Sequence, residues 1–157
     1  MSLTRATVEV ALIARCGKLL TAVGLDGATV DGTNAALTDP IGEGLRSLGL
    51  AVATLGAVTS ADVAQVTDGD GFAQLLDVAE LRAFETILAS WTEPDQIEGQ
   101  DTRQDLGKLR ESLEKTLTRK AAQALRIYGY GDAAGVDGVD TFTVNFGFQT
   151  REDTTTS

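Results

Sequence analysis

Two long stretches of this chain repeat their apolar residues at helical spacing, and together they fix a helical architecture. In residues 71–91, Phe72, Leu75, Leu76, Ala79, Phe84, Ile87, Leu88 and Trp91 form one face. Asp77, Glu80, Arg82 and Glu85 are the polar remainder. In residues 102–127, Leu106, Leu109, Leu113, Leu117, Ala121, Ala124 and Leu125 make a narrower stripe, suited to packing on the first segment. Glu111 precedes Lys115 by one helical turn, the favoured order for an ion pair. The polar connector "TEPDQIEGQD" at 92–101 separates the two, with Pro94 beyond the first helix. The pattern predicts a mostly α fold: a helical bundle built on a long antiparallel helix pair.

The N-terminal half is less regular. "RATVEVALIARCGKLLTAV" at 5–23 reads as a helix ended by Gly24, with Val8, Leu12, Leu19 and Val23 at roughly helical spacing. The Asp-Gly pairs at 26–27 and 31–32 mark turns that close a small hairpin or simply a loop. Asp39-Pro40 predicts a helix start, an N-cap acid followed by proline at the first helical position. Ile41, Leu45 and Leu48 then mark a short helix, against which Gly42 and Gly44 argue. "GLAVATLGAV" at 49–58 fits a buried helix or a strand equally, because a short apolar run has no diagnostic period. Ser60 is the expected N-cap of a helix through Val66, and "TDGDG" at 67–71 the expected turn.

After the second long helix, "YGYGDAAGVDGVD" places glycines at 129, 131, 135 and 138, which reads as a hinge over 128–138. The segment that follows changes period. Phe142, Val144, Phe146 and Phe148 hold one parity, and Thr141, Thr143, Asn145 and Gly147 the other, a strand pattern. An extended β-like arm over 139–150, carried on a glycine hinge, is suited to adding a strand to a partner. Packing back on its own helices is the other reading. Residues 151–157 form a polar tail, so the expected organisation is a helical adaptor domain at 1–127, hinge, arm and tail.

Charge and composition narrow the chemistry. The 157 residues carry a formal net charge of -10, which argues against a general nucleic-acid surface. The charge is polarised. Residues 26–70 hold seven acids against Arg46, whereas 101–126 hold seven bases against four acids. These bases are Arg103, Lys108, Arg110, Lys115, Arg119, Lys120 and Arg126. Such a dipole can order neighbouring subunits head to tail, or it can simply reflect a solvated helix with local ion pairs. With one cysteine, Cys16, and no histidine, an intrachain disulfide and Cys/His metal sites are excluded. Cys16 reads as a buried structural thiol. Asp77 with Glu80, and Glu111 with Glu114, are expected on solvated faces with no enclosing pocket. The two acids of "TDGDG" lack the further oxygens of a calcium loop. No catalytic residue, cofactor or metal ligand can be named. Nothing resembles a signal peptide or membrane span, which implies a reducing, soluble compartment. Tyr128 and Tyr130 are candidates either for an aromatic interface or for capping the helix end.

The order of parts, with helices leading to "FAQLLDVAELRAFETILASW" and "DTRQDLGKLRESLEKTLTRKAAQAL" and then an extended arm, resembles the head-to-tail connector, or adaptor, proteins of tailed bacteriophages and gene-transfer particles. The resemblance covers about residues 60–150 and rests on architecture, with no catalytic signature. It implies a structural subunit of a dodecameric ring beneath the portal, at the head–tail junction of the virion, assembled in the host cytoplasm. It further implies that the ring extends the DNA channel, passing DNA without sequence-specific binding, and that neck or tail-completion proteins dock on it. The partners implied are the portal protein and neighbouring copies, with Tyr128, Tyr130, Phe142, Val144, Phe146, Phe148 and the bases Arg103, Lys108, Arg110, Lys115, Arg119 and Lys120 as interface candidates. Two other classes fit the same residues: a non-viral adaptor or regulator that captures a partner through the arm, and a small enzyme of unrecognised type. Symmetry separates the first from a connector, and a pocket with converging polar groups marks the second.

Overall fold

The computed structural model describes residues 2–54, 56–91 and 100–131, with side chains for all of these except 100–106. Five helices follow one another: α1 (Arg5–Ala22), α2 (Ala35–Ser47), α3 (Ser60–Val63), α4 (Gly69–Ala89) and α5 (Gln100–Tyr128). The protein is mostly helical, and among the described residues β-structure is confined to one bridge between Thr54 and Ala57. The predicted arm at 139–150, with Phe142, Val144, Phe146 and Phe148, lies outside the described residues, as do most of the hinge and the tail.

Local chemistry sets each boundary. The Thr4 side chain accepts the Thr7 N–H and opens α1. At the other end Gly24 takes φ +79°, so that the Leu25 N–H reaches the Leu20 carbonyl and the Gly24 N–H reaches Thr21. This is the Schellman closure, and glycine supplies its left-handed residue without a Cβ clash. Of the two readings of the Asp-Gly pairs, hairpin or loop, the structure has the loop. Asp26 accepts the N–H groups of Ala28 and Thr29, and Asp31 accepts those of Thr33, so each acid folds its own turn.

Three expected boundaries move. Helix α2 starts at Ala35, not at Pro40, because Asn34 is the cap, its side-chain oxygen accepting the Ala36 N–H at 3.0 Å. Pro40 therefore sits inside the helix, where it leaves the Ala36 carbonyl without its usual i+4 donor. The cap of α3 is Thr59 rather than Ser60, within a capping box whose other member is Asp62, and the helix stops at Val63. Asp68 caps α4 by accepting the Gly71 N–H, so Gly69 to Gly71 belong to the helix instead of a turn. Among its described residues the apolar run 49–58 forms neither a helix nor a named strand, only the Thr54–Ala57 bridge. It crosses the surface of α2 and drops Val58 into the core.

Helix α4 is the centre of the fold, with α1, α2 and α5 all packed on it. Its Leu75, Ala79, Ala83 and Ile87 are fully buried in one cluster with Leu12 and Leu20 of α1 and Leu37, Ile41 and Leu45 of α2. Each such aliphatic side chain contributes roughly 1.5–3 kcal/mol relative to exposure. Gly44 explains why glycine is tolerated in α2. A Cβ there would stand 2.6 Å from the Leu75 carbonyl oxygen, so the missing side chain lets α2 lie against the α4 backbone. From α5, Leu113 and Ala124 are buried and Leu117 is partly so. Leu109, expected in the same stripe, is 38% exposed.

Candidate functional site

The two tyrosines at the end of α5 are where sequence-predicted site residues meet the body of the protein. The Tyr128 hydroxyl donates to Asp77 of α4 at 2.8 Å, and the Tyr130 hydroxyl donates to Glu43 of α2 at 2.7 Å. Both are half-buried. The end of α5 and the residue just beyond it thus carry two anchors on two different helices.

Each anchor sits in a chain of charges. On the Tyr128 side, Arg15 of α1 bridges Asp77 and Glu80, each at 3.0 Å, and Lys120 of α5 reaches Glu80 from the other side, also at 3.0 Å. The Lys120 ammonium also lies 5.9 Å from the Phe84 ring centroid, within cation–π range. Glu80, expected on a solvated face, is buried, and that expectation is corrected. Its neighbours Val78, Ala79 and Leu81 are buried as well, because α4 is covered on nearly every side. Two cations make the burial of Glu80 tolerable. On the Tyr130 side, Glu43 pairs with Arg46 at 2.7 Å, Asp39 meets Arg46 at 3.7 Å and Arg82 at 2.7 Å, and Arg82 continues to Glu85 at 2.9 Å.

These contacts set the protonation states. The Tyr130 hydroxyl bond, together with Arg46, holds the Glu43 carboxyl below its usual range despite partial burial. Burial and the bond to an ionised carboxylate both push the Tyr130 phenol up, and burial followed by Asp77 does the same for Tyr128. Both phenols therefore stay protonated donors, and both anchors hold at neutral pH.

Of the predicted bases, Arg110 pairs with Glu114 and Lys115 with Glu111 one turn away on the α5 surface, while Lys120 serves the α4 contact. Exposed pairs of this kind are screened by solvent and contribute little to stability, so their main effect is on surface charge. Arg119 and Lys108 are exposed, and Arg103 falls among the residues without described side chains.

A second polar centre went unforeseen. Arg5 and Glu9, one turn apart in α1, are buried together at 2.9 Å. The Arg5 guanidinium also donates to the carbonyls of Val58 and Asn34 and to the Thr38 hydroxyl, and Glu9 accepts the N–H groups of Gly32 and Asn34. This knot ties α1, the 24–34 loop, the start of α2 and the end of 49–58 into one unit. The signal was present in the sequence, since Arg5 and Glu9 share a helical face with the apolar Val8 and Leu12.

Beside the knot, α2 and the 50–58 segment enclose a groove of about 540 Å³. Its floor is Leu50, Val52 and Val58, its walls are small residues such as Gly42 and Ala57, and Asp39 and Arg46 stand at its rim. Cys16 is buried away from it. Burial and the nearby Glu80 push the thiol up to about 11, so it is neutral and donates to the Leu12 carbonyl. Among the described residues no group of three His, Cys, Asp or Glu side chains converges as a metal site. Every buried polar side-chain atom among them has a hydrogen-bond partner. No described helix is long and apolar enough to cross a membrane. The chain matches no protein-family model, and no curated protein or solved structure matches it.

Proposed function

We propose that the chain is a structural head-to-tail connector subunit, forming a ring below the portal, extending the DNA channel and offering a docking surface to neck or tail proteins. The supporting observation is the pair of tyrosine anchors. Tyr128 on Asp77 and Tyr130 on Glu43 fix the end of α5, and the strand-patterned segment 140–150 begins ten residues after Tyr130. A rigid body that ends at a fixed exit, followed by a glycine-containing tether and an alternating apolar segment, is the layout of a subunit that grips a partner by strand addition.

In this reading α4 and α5 form the antiparallel scaffold, as the contacts of Lys120 with Glu80 and of Tyr128 with Asp77 support. The bases of 101–126 face the acidic surface of 26–70 on the next copy and set the direction of the ring. The net charge of -10 lets DNA pass without sticking. No catalytic role is assigned. Deleting residues 132–157 tests the proposal. The truncated chain should keep its helical signal and melting temperature while losing attachment to portal rings. Undiminished attachment would overturn the assignment of the arm.

A further inference from the structure

Among the described residues, large apolar side chains lie exposed in two regions. Val10 and Val30 belong to α1 and the loop after it, Leu109 and Ile127 to α5, and Val10 and Ile127 are the most open at 54% and 51%. The two valines form one patch, because the 24–34 loop runs along α1. A Cβ on Gly27 would clash with the Gly17 carbonyl oxygen and the Thr21 hydroxyl, and one on Gly32 would lie 3.9 Å from the Ala6 nitrogen. Ala6, Val10, Gly17 and Thr21, spaced by four, seven and four residues, share one face of α1. Val10 therefore lies on that face between the two contacts, and Val30 lies between Gly27 and Gly32 on the loop. Asp26 and Asp31 flank Val30, and both are exposed. Only Oδ1 of each is engaged, by its own turn, and neither acid joins an ion pair with a described residue.

Helix α5 carries the complement. Arg119, Gln123, Arg126 and Ile127 stand at i, i+4, i+7 and i+8, so they share one face, and all four are exposed. Arg110, Lys115 and Lys120 are paired within the chain, whereas Arg119 and Arg126 make no ion pair with a described residue. From 115 to 128 the helix holds no acid. One surface thus sets apolar side chains beside two unpaired acids, and the other sets one beside two unpaired arginines. The spans also agree. Arg119 and Arg126 are about 10 Å apart along the helix axis, and the five-residue step from Asp26 to Asp31 covers at most about 18 Å. Two long, flexible arginine side chains bridge that difference. Both surfaces stay exposed, so neither covers the other within one chain.

We propose that the α5 face of Arg119, Arg126 and Ile127 docks on the α1–loop patch of a second copy, the arginines on Asp26 and Asp31 and Ile127 against Val10 and Val30. The two patches are different surfaces of one molecule. The contact is therefore heterologous, and its repetition makes a ring or a filament. The apolar centre keeps water from the middle of the contact, and the flanking charges fix the direction in which copies add. The inference rests on reading the chain as a ring subunit and names the surfaces by which its copies meet.

The test uses two full-length variants, each with one surface disabled. Asp26→Asn/Val30→Gln/Asp31→Asn removes the acidic patch and keeps the side-chain oxygens that fold the loop. Arg119→Gln/Arg126→Gln/Ile127→Gln removes the basic face at exposed helix positions with a good helix former. Sedimentation is measured over a concentration series up to about 1 mM, the range of weak association. The parent should associate, and less so at high salt. Either variant alone should associate at least about ten-fold more weakly. An equimolar mixture should give a heterodimer of one copy of each and nothing larger, because each variant supplies the surface that the other lacks. An unfolded variant could not restore that association. A parent that stays monomeric throughout, variants that associate like the parent, or a mixture without the heterodimer would overturn the proposal. Portal attachment of the parent is read separately. Association through these surfaces without portal binding would sink the connector reading and leave this interface standing, and portal attachment without such association would do the reverse.

Discussion

Arg5 carries the heaviest structural duty of any single residue, because its guanidinium alone joins Glu9, Asn34, Thr38 and Val58. Replacing it by Met leaves the Glu9 carboxylate buried without its cation. Loss of one partner from a buried pair typically costs about 3–5 kcal/mol, whereas replacing both members by apolar residues often costs little. Urea unfolding of Arg5→Met should show a loss of that order, and the double variant Arg5→Met/Glu9→Met should recover most of it. Equal losses in the two variants would contradict this account of the knot. At this scale the sequence was legible where a residue matched its surroundings. Cys16 lay in an apolar helical segment and is buried. Glu80 was misplaced, because helical periodicity assigns one face to a helix and α4 buries nearly all of its faces. The Arg5–Glu9 pair escaped for the opposite reason: a charged pair one turn apart usually lies in solvent, and only the loops brought over it by α2 and 49–58 bury it.

Among the elements, α3 shows how a short helix is held by one acid. Asp62 accepts from the Thr59 hydroxyl and N–H and from the Ala53 N–H, and these donors, the Thr59 hydroxyl foremost, hold its carboxyl below the ordinary range. The unfolded chain then binds this proton more tightly than the folded one. The contribution of Asp62 to stability is present above the unfolded value of about 3.9 and is lost as pH falls through the depressed folded value. Comparing the acid limb of the melting temperature in the parent and in Asp62→Asn checks this. The parent should lose stability more steeply below about pH 4, and parallel limbs would rule the role out. The long helices were legible because their apolar residues recur over many turns. The start of α2 was not, because Asp39-Pro40 is a conspicuous start signal and the cap that prevails, Asn34, is fixed by its side-chain bonds to the Asp26 and Thr29 carbonyls of a folded loop. The 49–58 run could not be assigned from its own residues. Its course is set by the α2 surface, by Asp62 and by Arg5.

At the scale of the whole molecule, the described helices form one core around α4, and α5 closes on it through Leu113, Ala124, Lys120 and the two tyrosines. A helix secured at its end by Tyr128 and Tyr130 passes a pull on the arm to α4 and α2 rather than unravelling from its last turn. In the proposed connector reading, these anchors would brace the end of α5. Tyr128 and Tyr130 were candidates from the sequence for an interface or for capping the helix end. In the structure both hydroxyls are engaged within the chain, and the interface candidates Arg110, Lys115 and Lys120 are likewise paired. Pairing across helices was beyond a linear reading, because Glu43 and Tyr130 are far apart in sequence and meet only when α5 folds onto α2 and α4.

The most direct measurement is native mass by light scattering over a concentration series, alone and with portal rings from the same particle, followed by electron-microscope images of any large species. The account predicts closed rings of about twelve copies, free or seated on the portal. A monomer or two-fold dimer under every condition, with no species bound to the portal, would contradict it and favour an adaptor that captures some other protein through its arm.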